Sequence, residues 1–432
     1  LVGSEMCIRD RAKVLGMYLP RIVDAEVERG LRVSGALFLK GPRASGKTST
    51  ARQFAKSVIQ LDRDSPEANL ARMQPALGLE GARPRLIDEW QVVPAIWNEV
   101  RHAVDDSQDK GQFLLTGSST PDDDATRHSG AGRIRSIQLR TLSLAERGLG
   151  AEHVSLGSII AGNQVPTAGT DATVADYSRW IVAGGFPEFF DLDPLDAQEG
   201  MESYLTEMSE HDYPELGGPR RDPRRFQSFL HAYAGLVAQP ATAAAIRKRI
   251  GELSSATSTP AAETVNVIHD FATRLFLIED QPAWSPRTRS KTSMVQMPKR
   301  QLADPGLAAA LLGTGPDKLL GDLETLGILF EAQLVHDLRV YAQELRARGV
   351  FHLRDMKGRE EIDAVVELRD GSWVGFEAKL SHNEVDAAAA HLKRVAAKLS
   401  SPPAALIVVI PSGPAFQRPD GVWVVPLAAL AE

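Results

Sequence analysis

The sequence predicts an α/β protein whose first part is built on a parallel sheet with a phosphate-binding loop, and whose last part is a second, smaller α/β domain. Three observations carry this. Residues 12–150 alternate short apolar runs with helix-period segments, the pattern of buried parallel strands joined by helices. Within that region, residues 41–48 read GPRASGKT, directly after an apolar run and before a helix pattern. Residues 318–432 return to mixed strand and helix after a largely helical middle.

Composition bounds the reading. At about 150 residues per domain, 432 residues suggest about three domains. Hydrophobic residues at 43% and charged residues at 24% are ordinary for a globular chain, which excludes disordered, collagen-like and coiled-coil classes. Forty-nine Lys and Arg against 56 Asp and Glu give a net charge of −7, no case for a nucleic-acid coat protein or a polybasic membrane binder. Any nucleic-acid contact needs a local patch. The single cysteine, Cys7, excludes an intrachain disulfide and a cysteine zinc site, which fits a reducing compartment. The longest apolar runs, such as 404–410, fall far short of the ~20 residues that span a bilayer, so no membrane contact is expected. No basic-then-apolar leader is visible, and the cytoplasm is the expected compartment. Residues 1–11 (LVGSEMCIRDR) lack any amphipathic period, precede a plausible start at Met17, and read as a non-native segment.

Element by element, short buried strands are expected at 36–39, 58–61, 86–87 and 113–115, and helices at 48–57 and 94–104. The second helix carries Ile96, Trp97, Val100 and Val104 at helical spacing behind Pro94. Residues 151–171 read as a connection. Residues 174–216 read as helical, interrupted by Gly184-Gly185-Phe186-Pro187. Helix-like stretches near 224–237, 241–253 and 260–273, then the apolar run 275–278, suit a helix-turn-helix with a following wing, over 222–300. The last domain, 318–432, is expected to hold a helix over 323–345, strands over 361–368 and 373–380, a helix over 385–399 and a buried strand over 405–410.

The loop Gly41, Pro42, Arg43, Ala44, Ser45, Gly46, Lys47, Thr48 fits G-x-x-x-x-G-K-[ST] without a mismatch. Its backbone N–H groups and the helix N-terminus suit phosphate oxygens. Lys47 is expected to reach the β- and γ-phosphates and Thr48 to bind Mg²⁺. The second element is Leu86-Ile87-Asp88-Glu89-Trp90, an apolar strand ending in two acids. Asp88 is the expected metal ligand and Glu89 the expected general base. The hydroxyl cluster in Phe113–Ser119 ends another strand and either orients the attacking water or the γ-phosphate, or forms a plain turn. Arg133, with Arg127 and Arg135 as rivals, is either an arginine finger for a neighbouring subunit or a surface residue.

The ordered set GPRASGKT, LIDEWQVVP, FLLTGSS, AGRIRSIQLRTLSLAE and GGFPEFF resembles a family of bacterial and archaeal AAA-type ATP-binding proteins. These carry a C-terminal domain of unknown function with a nuclease-like fold. The likeness runs from about residue 17 to the end. It implies an AAA-type core over 12–150, a helical lid over 172–216 that includes GGFPEFF, and a winged helix over 222–300. It also implies Ser118 or Ser119 at the sensor position and Arg133 as the finger. The chain departs from the pattern in an acidic stretch at 121–124, just before the arginine region.

Two basic stretches stand out in the middle. Arg287, Arg289, Lys291, Lys299 and Arg300 fall within 281–300 without an acid, and Arg220, Arg221, Arg224 and Arg225 fall within 219–225. Such patches neutralise DNA phosphates, or else are solvated faces packed on acidic domains. Near the end, Glu377 and Lys379 form E-x-K on one face of an expected strand, Asp363 lies on the strand before and Glu331 on the preceding helix. This ordered quartet resembles the PD-(D/E)XK nuclease pattern, which implies a second Mg²⁺ on Asp363 and Glu377 with Glu331 completing the shell. Asp370-Gly371 marks a hairpin turn. A two-residue loop sets Asp363 opposite Ala378, away from Glu377. A three-residue loop, Asp370–Ser372, sets it opposite Lys379 and beside Glu377, so a three-residue loop or a bulge is expected.

The expected function is hydrolysis of MgATP by an AAA-type ATPase acting on DNA or a protein partner, with a homo-oligomer as the expected assembly. Two alternatives stand beside it: an ATP-gated metal-dependent nuclease, and a non-enzymatic nucleotide-sensing DNA-binding regulator.

Overall fold

The computed structural model describes the chain apart from residues 1–17, 119–128, 151–152, 164, 166–167, 215–221, 254–259, 286–295 and 356–357. The segment 1–11, the acidic stretch 121–124 and Ser119, Arg127, Arg220, Arg221, Arg287, Arg289 and Lys291 lie outside the described residues. The chain divides into two compact units, one running to Thr141 together with Arg274–Phe276, the other covering the remainder.

The first unit is a five-stranded parallel sheet of β1 (Ala36–Lys40), β2 (Ser57–Gln60), β3 (Arg85–Asp88), β4 (Phe113–Gly117) and β5 (Ile134–Gln138), in the order β2-β3-β4-β1-β5. Both faces are covered, so alternate residues of one strand enter two different cores. Ala36 and Phe38 join Ile87, Trp90, Trp97 and Leu115 on one side. Leu37 and Leu39 join Ala51, Leu86, Leu114 and Ile137 on the other. A strand buried on both faces shows no polar alternation, which is why these stretches read as continuous apolar runs. The helix Ile96–Ser107 buries Ile96, Trp97, Val100 and Val104, as the spacing predicts. Helix Asp24–Val33, helix Pro66–Met73 and β5 escaped the sequence reading. The second had a legible start, because Ser65 caps it by accepting from the Ala68 N–H and Pro66 opens its first turn.

Parallel strands point their C-terminal ends the same way, and β1, β3 and β4 each lead there into a segment with functional side chains. Lys40 at the end of β1 pairs with Gly117 of β4, which places the phosphate loop and Ser118 at one edge of the sheet.

In the second unit, a Thr173–Asp176 capping box opens the helix Val174–Ala183, and Gly184 ends it at φ 65°. The GGFPEFF segment that the resemblance assigns to a lid is a corner between this helix and Pro194–Glu207. Buried Asp304 clamps it, accepting from the N–H groups of Gly185 at 2.9 Å and Gly306 at 2.7 Å. The three middle helices stand at Pro223–Ala234, Ala243–Leu253 and Ala262–Arg274. A narrow ribbon follows, with bridges Ile278↔Leu302 and Gln281↔Lys299.

The end of the chain runs helix Leu323–Glu344, antiparallel strands Gly349–Arg354, Glu361–Glu367 and Trp373–Ala378, helix Val385–Ala396, then strand Ala405–Ile410 parallel to Trp373–Ala378. Val385, Ala388, Ala389, Leu392 and Val395 of the helix pack on this sheet. The strand Gly349–Arg354 escaped the sequence reading. The hairpin loop has three residues, but they are Arg369–Gly371 rather than Asp370–Ser372: the Leu368 N–H donates to the Ser372 carbonyl at 2.8 Å. Trp373 therefore pairs with Glu367, and continuing the ladder sets Asp363 opposite Glu377, not Lys379. The pairing is displaced by two residues, so Asp363 still shares the face of Glu377 and Lys379. Among the described residues, no helix is long and apolar enough to cross a membrane.

Candidate functional site

The phosphate loop is shaped by left-handed residues at Gly41, Ala44 and Gly46. Gly41 is obligatory, because a Cβ there would meet the Leu139 carbonyl oxygen at 2.1 Å. Gly46 is the N-cap of the helix Lys47–Phe54, so the loop delivers the helix's first N–H groups to the sheet edge. Ser45 is fully buried and donates to the Pro42 carbonyl at 2.8 Å, bracing the loop from inside. Lys47 is buried, and its ammonium donates to the carbonyls of Gly41 at 3.0 Å and Pro42 at 2.6 Å. Burial pulls its pKa down to about 8, against the pull of Glu89 and Asp88. Arg21, which sequence reasoning missed, braces the loop from behind: its guanidinium donates to the carbonyls of Ser45 at 3.1 Å and Arg140 at 2.8 Å. Nothing local in the sequence marks that role.

Asp88 ends β3 beside the loop. Its Oδ1 accepts from Thr48 Oγ1 at 2.7 Å and from Thr116 Oγ1, and its Oδ2 accepts from Gln60 at 3.3 Å. A hydroxyl and a carboxylate in contact at a helix N-terminus make a hard-oxygen pair that fits a Mg²⁺ carried in by phosphate. Glu89 has φ 54°, a left-handed conformation that a non-glycine residue adopts only when its surroundings hold it. Here they do. Its N–H donates to Thr116 Oγ1 at 3.2 Å, and its Oε2 accepts from Gln91 and, at 3.3 Å, from Ser118 Oγ. The hydroxyls at the end of β4 therefore hold the two acids. Gln91 went unnoticed, although it stands in the LIDEWQ string.

Arg133 is not brought to this loop. It precedes the first residue of β5, which pairs with the first residue of β1, and so it lies a strand length, about 16 Å, from the loop edge. Its side chain pairs with Asp105 at 2.7 Å, while the rival Arg135 pairs with Glu26 at 3.0 Å.

The acids of the C-terminal domain do converge. Glu377 Oε1 is 3.0 Å from the Lys379 ammonium, and Asp363 Oδ2 accepts from the Ala378 N–H at 2.9 Å. Two residues outside the expected quartet complete the group. Glu361 stands two residues before Asp363 on its strand, and Lys299 enters from the ribbon. Lys299 is 1% exposed, with its ammonium 2.7 Å from Glu331, 2.9 Å from Glu361 and 3.7 Å from Asp363. Burial lowers its pKa, but the carboxylates of Glu331, Asp363 and Glu361 outweigh that and hold it above the ordinary lysine value. Burial pushes the carboxyls of Glu331 and Glu377 well above the usual range.

This corrects two expectations. Lys299 and Arg300 are not a solvated basic patch for DNA phosphates: Lys299 is interior, and Arg300 donates to Asp280 and to the Ala241 carbonyl at 2.8 Å. The expected second Mg²⁺ also fits poorly. An ammonium already stands among the carboxylates, and among the described residues no group of three or more His, Cys, Asp or Glu is arranged to hold a metal.

Residues 33–147 match the family described as AAA domain. Residues 174–318 match a domain of unknown function (DUF8612), and 326–430 another (DUF4143). Relatives in Mycobacterium tuberculosis (Rv2008c) and Mycobacterium bovis (Mb2031c) are each 26% identical over 361 residues, 82% of this chain and 72% of theirs. The Walker-type ATPase paby2304 of Pyrococcus abyssi is similar at a TM-score of 0.39 and 13% identity, covering 67% of this chain and 94% of that one. The ORC2 protein of Aeropyrum pernix, in ADPNP and ADP complexes, is similar at 0.26 and 13%, covering 65% and 89%. Residues 33–147 are thus similar to the AAA domain family. Residues 326–430 are similar to a family of unknown function.

Proposed function

We propose that this chain hydrolyses MgATP at the edge of its first sheet and uses the turnover to act on a partner through the modules that follow. The loop N–H groups and Lys47 bind the β- and γ-phosphates. Thr48 and Asp88 hold Mg²⁺, which supplies charge neutralisation at the phosphates. Glu89 accepts a proton from the attacking water, and Ser118, Gln91 and Thr116 keep its carboxylate and backbone in place for that step. Arg133, remote from its own loop, serves a neighbouring copy as an arginine finger.

The observation that carries the reading is Glu89 in a left-handed backbone, tied at its N–H by Thr116 and at its carboxylate by Ser118 and Gln91. Strain of this kind persists where surrounding groups over-determine it, and it clusters at working sites. The test is a pair of variants. Lys47→Ala should lose nucleotide binding, because Lys47 contacts phosphate in the ground state. Glu89→Gln should keep binding and lose turnover, because Glu89 acts on water during attack. Wild-type turnover by Glu89→Gln would sink the base assignment.

The modules that follow the ATPase resemble a winged helix and a nuclease-like domain. Support for the second is the helix, three antiparallel strands, helix and parallel strand that bring Glu331, Asp363, Glu377 and Lys379 together. Contact with DNA through the ribbon loses its two described cations, since Lys299 and Arg300 are both spent on internal acids.

A further inference from the structure

We propose that Lys299 is an internal cation that holds the acidic centre of the C-terminal domain closed to divalent metal, which makes the ribbon carrying it a lock. The inference rests on reading that centre as nuclease-like, and on the poor fit of a metal to it as it stands.

The first argument is position. The Lys299 ammonium lies within 4 Å of three carboxylates contributed by two separate elements: Glu331 on the long helix, and Glu361 and Asp363 on one strand. A hard divalent cation seeks the same oxygens. Burying a lysine is expensive unless it is paired and hydrogen-bonded, and Lys299 satisfies both conditions only here. The ammonium and a metal ion therefore exclude one another.

The second argument is charge. Four carboxylates meet in the centre: Glu331, Glu361, Asp363 and Glu377. The cations are Lys299, Lys379 and, at the rim, Arg354, 3.4 Å from Glu361. With all four ionised, as a bound cation would hold them, four against three leaves one negative charge unmatched. Exchange of the single charge of Lys299 for a divalent ion brings the count to balance. One oxygen is already unspent: Glu377 Oε2 is buried without a hydrogen-bond partner. A buried acceptor without a donor is costly to keep, and a cation would satisfy it.

The third argument is how the lysine is delivered. It does not belong to the sheet or helix that carry the acids. It comes from a narrow ribbon in which Lys299 and Gln281 exchange N–H···O bonds at 2.9 Å in both directions. The Gln281 side chain then docks that ribbon on the acidic strand, donating to the Asp363 carbonyl at 2.9 Å and the Phe351 carbonyl at 2.9 Å. Next to Lys299, Arg300 is tied to Asp280 and to the Ala241 carbonyl. Lys299 and Arg300 are bridged to Pro240 and Val237 as well, and Ala283 to His352, so it is a local opening of this ribbon that would withdraw the ammonium. Withdrawal of the ribbon removes the ammonium and leaves the oxygens to a metal.

The experiment is Mn²⁺ binding followed by electron paramagnetic resonance, without nucleotide, and with Asp88→Asn in every variant to silence the other cation pair. The background with Lys299 intact should bind no Mn²⁺ that depends on Asp363 or Glu377. Lys299→Met should gain one Mn²⁺, at least tenfold tighter than any residual binding, and addition of Asp363→Asn should abolish it. Because a bare acidic cluster weakens folding, Lys299→Met with Glu331→Gln, which removes one charge of each sign, is the second variant and should also bind. Mn²⁺ should raise the melting temperature of both variants, since a ligand of the folded state stabilises it, and should not raise that of the background. The proposal is overturned if the background already binds Mn²⁺ through Asp363, or if the folded variants bind none. It is equally overturned if neither variant folds even with Mn²⁺, since Lys299 is then a structural counter-ion and not a lock. None of these results touches the ATPase reading, which is tested by turnover.

Discussion

Thr116 offers the sharpest test of how the acids of the proposed ATP site are held. Its buried hydroxyl donates to Asp88 Oδ1 and accepts from the Glu89 N–H at 3.2 Å. Thr116→Val keeps the shape and removes both bonds. The lost bond to a carboxylate and the stranded N–H together should cost about 2–4 kcal/mol of stability, read as a lower urea midpoint for the first unit. The Glu89 backbone would then lose the one bond to its N–H that keeps it in the left-handed region. General-base catalysis is worth about 10²- to 10⁴-fold, so partial misdirection of the Glu89 carboxylate should lower kcat by about 10- to 100-fold. KM for ATP should hardly change, because the loop and Lys47 are untouched. Thr116→Ser restores the hydroxyl and should recover most of the turnover. A valine variant that is less stable but keeps wild-type kcat would reduce Thr116 to structural support. One that is equally stable would refute the hydrogen-bond argument itself.

Two titrations give further outcomes. Lys47 must be charged to bind phosphate, and its pKa in the free protein is about 8. The dissociation constant for ATP should therefore be flat below pH 7.5 and rise about tenfold per pH unit well above 8; a constant value from pH 7 to 9.5, by fluorescent-nucleotide titration, contradicts this. His352 is held neutral, with burial and then the Lys299 charge lowering its pKa from 6.5 to about 4, and its Nε2 bonds the Met297 carbonyl at 2.9 Å. A depressed folded-state pKa means that the unfolded chain takes the proton first, so stability is full above pH 6.5 and is lost as pH falls toward 4, by about 3 kcal/mol in all. The stability advantage of wild type over His352→Gln should shrink between pH 7 and pH 5, and an unchanged gap would place the acid sensitivity elsewhere.

The candidate phosphate site was legible in the sequence where its parts are local. Eight consecutive residues specify the phosphate loop, and an apolar strand ending in Asp88 and Glu89 specifies the acidic edge. What holds those acids was not legible. Thr116 reaches Asp88 and Glu89 only because β3 and β4 are neighbours in the sheet, and strand order is a tertiary fact. The string FLLTGSS showed that hydroxyls end a strand, but not that they serve the acids rather than a phosphate.

The C-terminal centre shows the same boundary more sharply. Asp370 and Gly371 fixed a three-residue loop: the Asp370 side chain accepts from the Ser372 N–H at 2.9 Å, and Gly371 takes φ 87°. The loop is placed one residue earlier than expected, which moves the pairing by two and leaves every side chain on its face. Parity decides which residues share a face, and since Asp-Gly alone allows a two-residue loop as well, the even register was read from the need of Asp363 and Glu377 to meet. Local turn chemistry could not say what else arrives there. Lys299 lies 32 residues before Glu331, in a stretch rich in basic residues and free of acids, and by composition such a stretch reads as a phosphate-binding surface. Its acids come from elsewhere in the chain, so the difference between a solvated cation and a buried counter-ion is invisible to any local count. That one ammonium stands among the carboxylates to which the sequence assigned a metal. The decisive residue of the domain is thus the one whose surroundings the sequence was least able to describe.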